Sequence, residues 1–211
     1  MAGWPARHDN CAAIRDVTAR VLTRGHTSVA YLGYIPQGEW DVERESGCQD
    51  AMTAAGLPVT VIRTGTAPAE VDATVADLLG PPDRPTAVIA GSDVLAAACY
   101  AGDTRTGLRI GVDLAVTGFD GRTVAARILT PALTTVAMPL AEVAERLVDR
   151  IVSAVSGVSD ERGEVLETAL IWGESVWRGR GDGGAAQAAQ GAAAGMPGRL
   201  GGPGSARVVA P

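Results

Sequence analysis

The chain has 211 residues, 46% of them apolar and 4% aromatic, with a formal net charge of −6. That length suits one domain with a real core, or slightly more. The acidic balance offers no electrostatic footprint for nucleic acid, and no apolar run approaches the ~20 residues of a bilayer span.

Cys11, Cys48 and Cys99 are far apart and form no C-x-x-C pair, and there are only two histidines. A structural zinc site is therefore disfavoured, and three scattered cysteines suit a reducing cytoplasm. The opening MAGWPARHDN has no apolar segment of the kind a secretory signal needs. No phosphate loop, dinucleotide-type glycine pattern or nucleophile–base pair appears. The expectation is a cytoplasmic protein without a cofactor that is not an enzyme.

Residues 1–8 read as unstructured. Asp9 suits the N-cap of a helix carrying Ile14, Val17, Val21 and Leu22, which Gly25 ends. His26, just beyond, reads as a turn or core histidine. Ser28 to Gly33 is a short apolar strand, and Tyr34 to Gly38 a loop. A helix from Trp40 to about Ala55 places Arg44, Gly47, Cys48, Ala51, Met52 and Ala55 on one stripe. Arg44 thus falls on the buried face, where a charge needs a partner or a ligand.

Val59 to Ile62 is the next strand and Glu70 to Leu79 the next helix. The run Pro81-Pro82-Asp83-Arg84-Pro85 forces a turn. From Ala87 the pattern is strand, capped turn (Gly91-Ser92-Asp93), helix, strand (Leu114 to Thr117), polar loop (Gly118 to Gly121) and strand (Leu133 to Val136). Pro139 to Val155 is a regular amphipathic helix, Leu166 to Trp172 a last strand, and the Gly/Ala-rich residues 179–211 read as disordered. Strands alternating with helices through short turns predict an α/β fold: an open, mostly parallel sheet with helices on both faces. In such sheets the loops after the strands line the ligand crevice.

Several motifs occur in a specific order: Asp9-Asn10, Arg24-Gly25-His26, Arg44-x-x-Gly47, Ser92-Asp93, Gly118-Phe119-Asp120 and Leu133-Thr134-Thr135-Val136. In this they resemble the effector-binding core of LacI/GalR-family transcriptional regulators, which is similar to periplasmic sugar-binding proteins. The resemblance covers about residues 9–178. It implies that residues 9–136 form the C-terminal lobe of a two-lobed fold. Residues 137–178 are then the helix and strand that return to the other lobe. That other lobe and the DNA-binding helix-turn-helix headpiece are not in this sequence. Two readings compete with a regulator's sensor domain, namely a solute-binding protein of a sugar transporter and a non-functional truncated remnant.

The resemblance also assigns residues. Arg44 matches an effector-binding arginine, whose fork suits two hydroxyls or a carboxylate. The structural alternative is an ion pair with Glu43, Asp41 or Asp93. Asp120 matches an aspartate that binds effector hydroxyls, or else it caps loop amides. Ser92 stands where the family usually has asparagine, and N-capping is its other role. Thr66 and Trp40 are weaker candidates for the effector pocket, and Asp93 reads as a helix cap. The implied partners are a small effector, a sugar or sugar derivative, DNA only through the absent headpiece, a second copy in a homodimer, and no membrane.

Overall fold

A computed structural model describes residues 6–121, 128–157, 164–177 and 207–209. In chain order the elements are β1 (Ala6–His8), α1 (Asn10–Leu22), β2 (Val29–Tyr34), α2 (Glu39–Ala54), β3 (Thr60–Thr64), α3 (Pro68–Leu79) and β4 (Ala87–Ala90). Then follow α4 (Asp93–Thr106), β5 (Ala115–Asp120), β6 (Thr134–Ala137), α5 (Leu140–Val155), β7 (Glu164–Leu166), β8 (Ala169–Ile171) and β9 (Arg207–Val209).

The main sheet runs β3-β2-β4-β5-β6-β8-β9. Its first five strands are mutually parallel, and β8 lies antiparallel to β6. Side chains on the central strands alternate between two cores. Ala30, Leu32, Val88, Ala90 and Val116 face α3 and α4. Val29, Tyr31, Ala87, Ile89, Ala115 and Phe119 face α1 and α2. The sheet is therefore covered on both sides, as the sequence predicts for buried parallel strands.

Three expectations need correction. Residues 6–8 are not unstructured: Ala6, Arg7 and His8 pair in parallel with Glu164, Val165 and Leu166 in a separate two-stranded sheet. The single strand expected over Leu166 to Trp172 is two strands, because β7 serves that small sheet and β8 the main one. The polar loop at Gly118 to Gly121 is mostly strand, since β5 continues through Asp120 and buries Phe119 completely. Most of the tail expected to be disordered lies outside the described residues, but Arg207–Val209 pairs with β8.

Helix α5 lies against β1, and Arg146 reaches Glu164 at 3.2 Å. None of its described residues is buried. Leu140, Val148, Ile151 and Val152 are all more than half exposed, and Val155 is 86% exposed. The apolar stripe of this amphipathic helix is therefore exposed.

His26 follows α1 and is fully buried. Its Nε2 lies 3.0 Å from the Trp177 carbonyl, which can only accept, so Nε2 carries the hydrogen. Nδ1 lies 3.2 Å from the Thr86 hydroxyl, whose one hydrogen is shared between this nitrogen and the Ser28 carbonyl at 3.1 Å. Burial holds the imidazole below the usual histidine pKa; the hydrogen bond to the Trp177 carbonyl opposes this, and the Arg24 charge adds a smaller push downward. As pH falls through about 6.5, the unfolded chain gains a proton that the folded His26 refuses, so native stability declines. His26→Gln lacks this loss. At pH 7.5 the variant should be less stable by about 1–3 kcal/mol. The gap should narrow on acidification to pH 5, which urea unfolding at the two pH values would measure. A gap that stays constant would contradict it.

Candidate functional site

The chain leaves β2 outward to β3 and returns past β2 to β4, so the winding direction changes between β2 and β4. In open α/β sheets, ligands bind beside the carboxyl ends of the strands at such a switch point. Arg44, from the helix after β2, spans this place. Its Nη1 donates to the carbonyl of Gly91, just beyond β4, at 2.7 Å.

The sequence reason for this placement is Gly47. A Cβ there would lie 2.3 Å from the Cys11 carbonyl oxygen. Glycine therefore lets α2 press against α1. One turn earlier, Arg44 meets the first turn of α1, where its Nε donates to Asn10 Oδ1 at 2.9 Å. Arg-x-x-Gly is thus a packing device as much as a binding motif.

Arg44 is only 7% exposed. Its Nη1 also reaches Asp120 Oδ1 at 3.4 Å, and its guanidinium stacks on Phe119 with Cζ 3.9 Å from the ring centroid. Burial pushes its pKa down, while the Asp120 carboxylate pulls it back up. Nη2 meets only the Met138 thioether at 4.0 Å among the described residues. Thioether sulfur is a weak acceptor on a flexible side chain, so Nη2 keeps donor capacity for an incoming oxygen.

The acids expected as structural partners of Arg44 make other contacts. Glu43 accepts from Asn10 Nδ2 at 2.9 Å. Asp41 accepts from the Gln37 amide at 2.9 Å, and Asp93 from the Thr135 hydroxyl at 2.5 Å. Neighbouring Glu45 pairs with Arg63. The ion-pair partner of Arg44 is Asp120, itself one of the expected site residues. Asp120 has φ = 115°, and Gly121 follows at φ = 62°. An L residue rarely adopts the first of these values. At the second position a Cβ would also collide with Ala137, so glycine is required there. This turn carries the carboxylate at the end of β5 to the guanidinium.

Ser92 acts as a cap: its Oγ accepts from the Leu95 amide at 3.2 Å. Asp93, expected to be the cap, reaches across to Thr135 on β6 instead. Trp40 is half exposed, with its ring over Gly38, and Thr66 is exposed after β3. Neither makes a hydrogen bond or ring contact to Arg44 or Asp120 among the described residues. The structure thus brings Arg44 and Asp120 together and leaves Trp40 and Thr66 apart from them. It adds Asn10, Phe119, Met138 and His8, which sequence reasoning did not assign to the site. Asn10 and Phe119 both stood inside noted motifs, and that was the available signal.

The family of periplasmic binding protein-like domains matches residues 18–176, most of the chain and nearly the whole sheet just described. The chain belongs to this family. Its relatives there are regulators of the LacI type, as the motifs implied. It is similar to the HTH-type transcriptional regulator GalS of Salmonella typhimurium, 30% identical over 155 residues, 72% of this chain and 45% of that protein. A LacI-family regulatory protein from Chloroflexus aggregans superposes with a TM-score of 0.74 at 28% identity, over 81% of this chain and 62% of that one. A LacI-family regulator from Enterococcus faecium, solved with bound ribose, shares the fold at a TM-score of 0.76 and 21% identity, over 83% and 65% of the two chains. The chain spans about half the length of the curated relatives it matches.

Proposed function

We propose that this chain is the effector-sensing core of a LacI-family transcriptional regulator. It takes a small polyhydroxylated molecule, a sugar or sugar derivative, at Arg44 and Asp120. The observation that carries this reading is the pairing of buried Arg44 with partly exposed Asp120 at the switch point, with Nη2 facing only a displaceable thioether among the described residues. A forked donor beside a carboxylate suits a diol, because the carboxylate accepts from one hydroxyl while the guanidinium donates to an oxygen. The ribose held by the Enterococcus faecium regulator fits this chemistry. The named relatives are regulators rather than transport components or enzymes, which favours sensing over transport or catalysis.

Effector binding would act by population shift, favouring one of two states of a homodimer in the cytoplasm. DNA contact would belong to a helix-turn-helix headpiece, because these 211 residues carry a charge of −6. Ser92 shapes the site by setting the start of α4. Thr66, in the loop after β3, and Trp40, in the first turn of α2, lie at the same end of the sheet without touching Arg44 or Asp120 among the described residues.

Calorimetric titration of the chain with D-ribose, D-galactose and D-glucose tests the site. Saturable binding of one sugar, weakened at least about tenfold by Asp120→Asn, is the expected result. Binding indifferent to that substitution, or no binding of any of the three, would overturn this reading.

A further inference from the structure

His8 belongs to β1, outside the main sheet, yet its ring reaches the Arg44 cluster. The ring centroid lies 6.0 Å from that of Phe119, the ring on which Arg44 stacks. His8 Nε2 is 3.1 Å from Asn10 Oδ1. Asn10 donates from Nδ2 to Glu43 Oε2 at 2.9 Å, and its Oδ1 accepts from Arg44 Nε at 2.9 Å. Those two charged neighbours fix which end of the amide is oxygen. An amide oxygen only accepts, so the hydrogen of the His8 contact sits on Nε2. In a neutral imidazole the other nitrogen is then a bare acceptor. Among the described residues, His8 Nδ1 has no hydrogen-bond partner.

We propose that His8 Nδ1 is a third polar contact of the effector site, accepting a hydrogen bond from a hydroxyl or N–H of a ligand that also engages Asp120 and Arg44. This inference rests on the effector-site reading and sharpens it. The ligand class is one with two separate donor groups, one for the Asp120 carboxylate and one for the imidazole, as a polyol or aminosugar has. Half-burial and the Arg44 charge oppose protonation of His8, while Glu43 and Asp120 pull the other way. The net shift is downward, which keeps the ring a neutral acceptor at neutral pH. Asn10 then has a defined task. It couples the tautomer of His8 to the orientation of Arg44, so one amide orients both a ligand donor and a ligand acceptor.

Two substitutions at this position separate ligand contact from mere support of Asn10. Glutamine places its amide nitrogen where Nε2 stands, so His8→Gln retains the bond to Asn10 and discards the Nδ1 acceptor. Asparagine places its oxygen where Nδ1 stands, so His8→Asn does the reverse. The experiment titrates the chain with D-ribose, D-galactose and D-glucose by calorimetry, with circular dichroism melting as a check on folding. For the sugar that the unsubstituted chain binds, His8→Gln should weaken binding about 5- to 10-fold, and His8→Asn less than about twofold. The reverse order would mean that His8 only supports Asn10, and would overturn the proposal. A sugar that is sensitive to Asp120→Asn but indifferent to both His8 variants leaves the effector site standing and removes His8 from it. If none of the three sugars binds, the effector-site reading fails and takes this inference with it.

Discussion

Replacing Arg44 with methionine should destabilise the chain by about 2–3 kcal/mol, a fall of roughly 5–10 °C in melting midpoint. Methionine fills much of the same space, so the loss is one of partners rather than volume. It leaves the Gly91 carbonyl, Asn10 Oδ1 and the Asp120 carboxylate without their shared donor. Removing one member of a buried pair costs about 3–5 kcal/mol. The loss here falls at or just below that range because the Asp120 side chain is 21% exposed and regains water. Arg44→Lys should recover only part of the loss. An ammonium holds the charge beside Asp120, but it has no planar fork to reach Asn10 and Gly91 together. Urea unfolding of the three proteins is the measurement. A methionine variant within about 0.5 kcal/mol of the original would show that these contacts contribute nothing net to stability.

The same residue shows how far the sequence could be read. Helical spacing alone put Arg44 on the buried face of α2, because the stripe through Gly47, Cys48 and Met52 has one phase. Periodicity could not supply its partner. Asp120 lies 76 residues away, on a strand end whose glycines resemble a loop. Period-2 reasoning fails there because Phe119 and Val116 are buried on opposite faces of a strand covered from both sides. The alternation that separates strand from loop is then absent.

Strand β1 was illegible for another reason. Ala-Arg-His has no strand propensity to speak of, and it is a strand only because Glu164–Leu166 pairs with it from the far end of the chain. His8 was missed with it. The exposed stripe of α5 was fully legible as a pattern, but a pattern does not say whether anything covers it.

Replacing Phe119 with alanine should have the largest effect of any single change near the site, about 3–5 kcal/mol. The ring is wholly buried in the core shared by α1, α2 and the sheet. It is also the platform under the guanidinium at 3.9 Å. Two terms are mixed in that number, a cavity and a lost cation–π contact, and Phe119→Leu separates them. Leucine restores most of the apolar volume and removes the π face, so its cost should be about 1–2 kcal/mol. A double-mutant cycle between Phe119→Leu and Arg44→Met then isolates the pair. If the ring stabilises the charge directly, the two losses overlap, and the double variant should be less damaged than their sum by about 1 kcal/mol. Additive losses would mean that Phe119 is a core residue that merely lies beside Arg44. In that case the orientation of the guanidinium would rest on Asn10, Gly91 and Asp120 alone, and Phe119→Leu would leave sugar binding untouched.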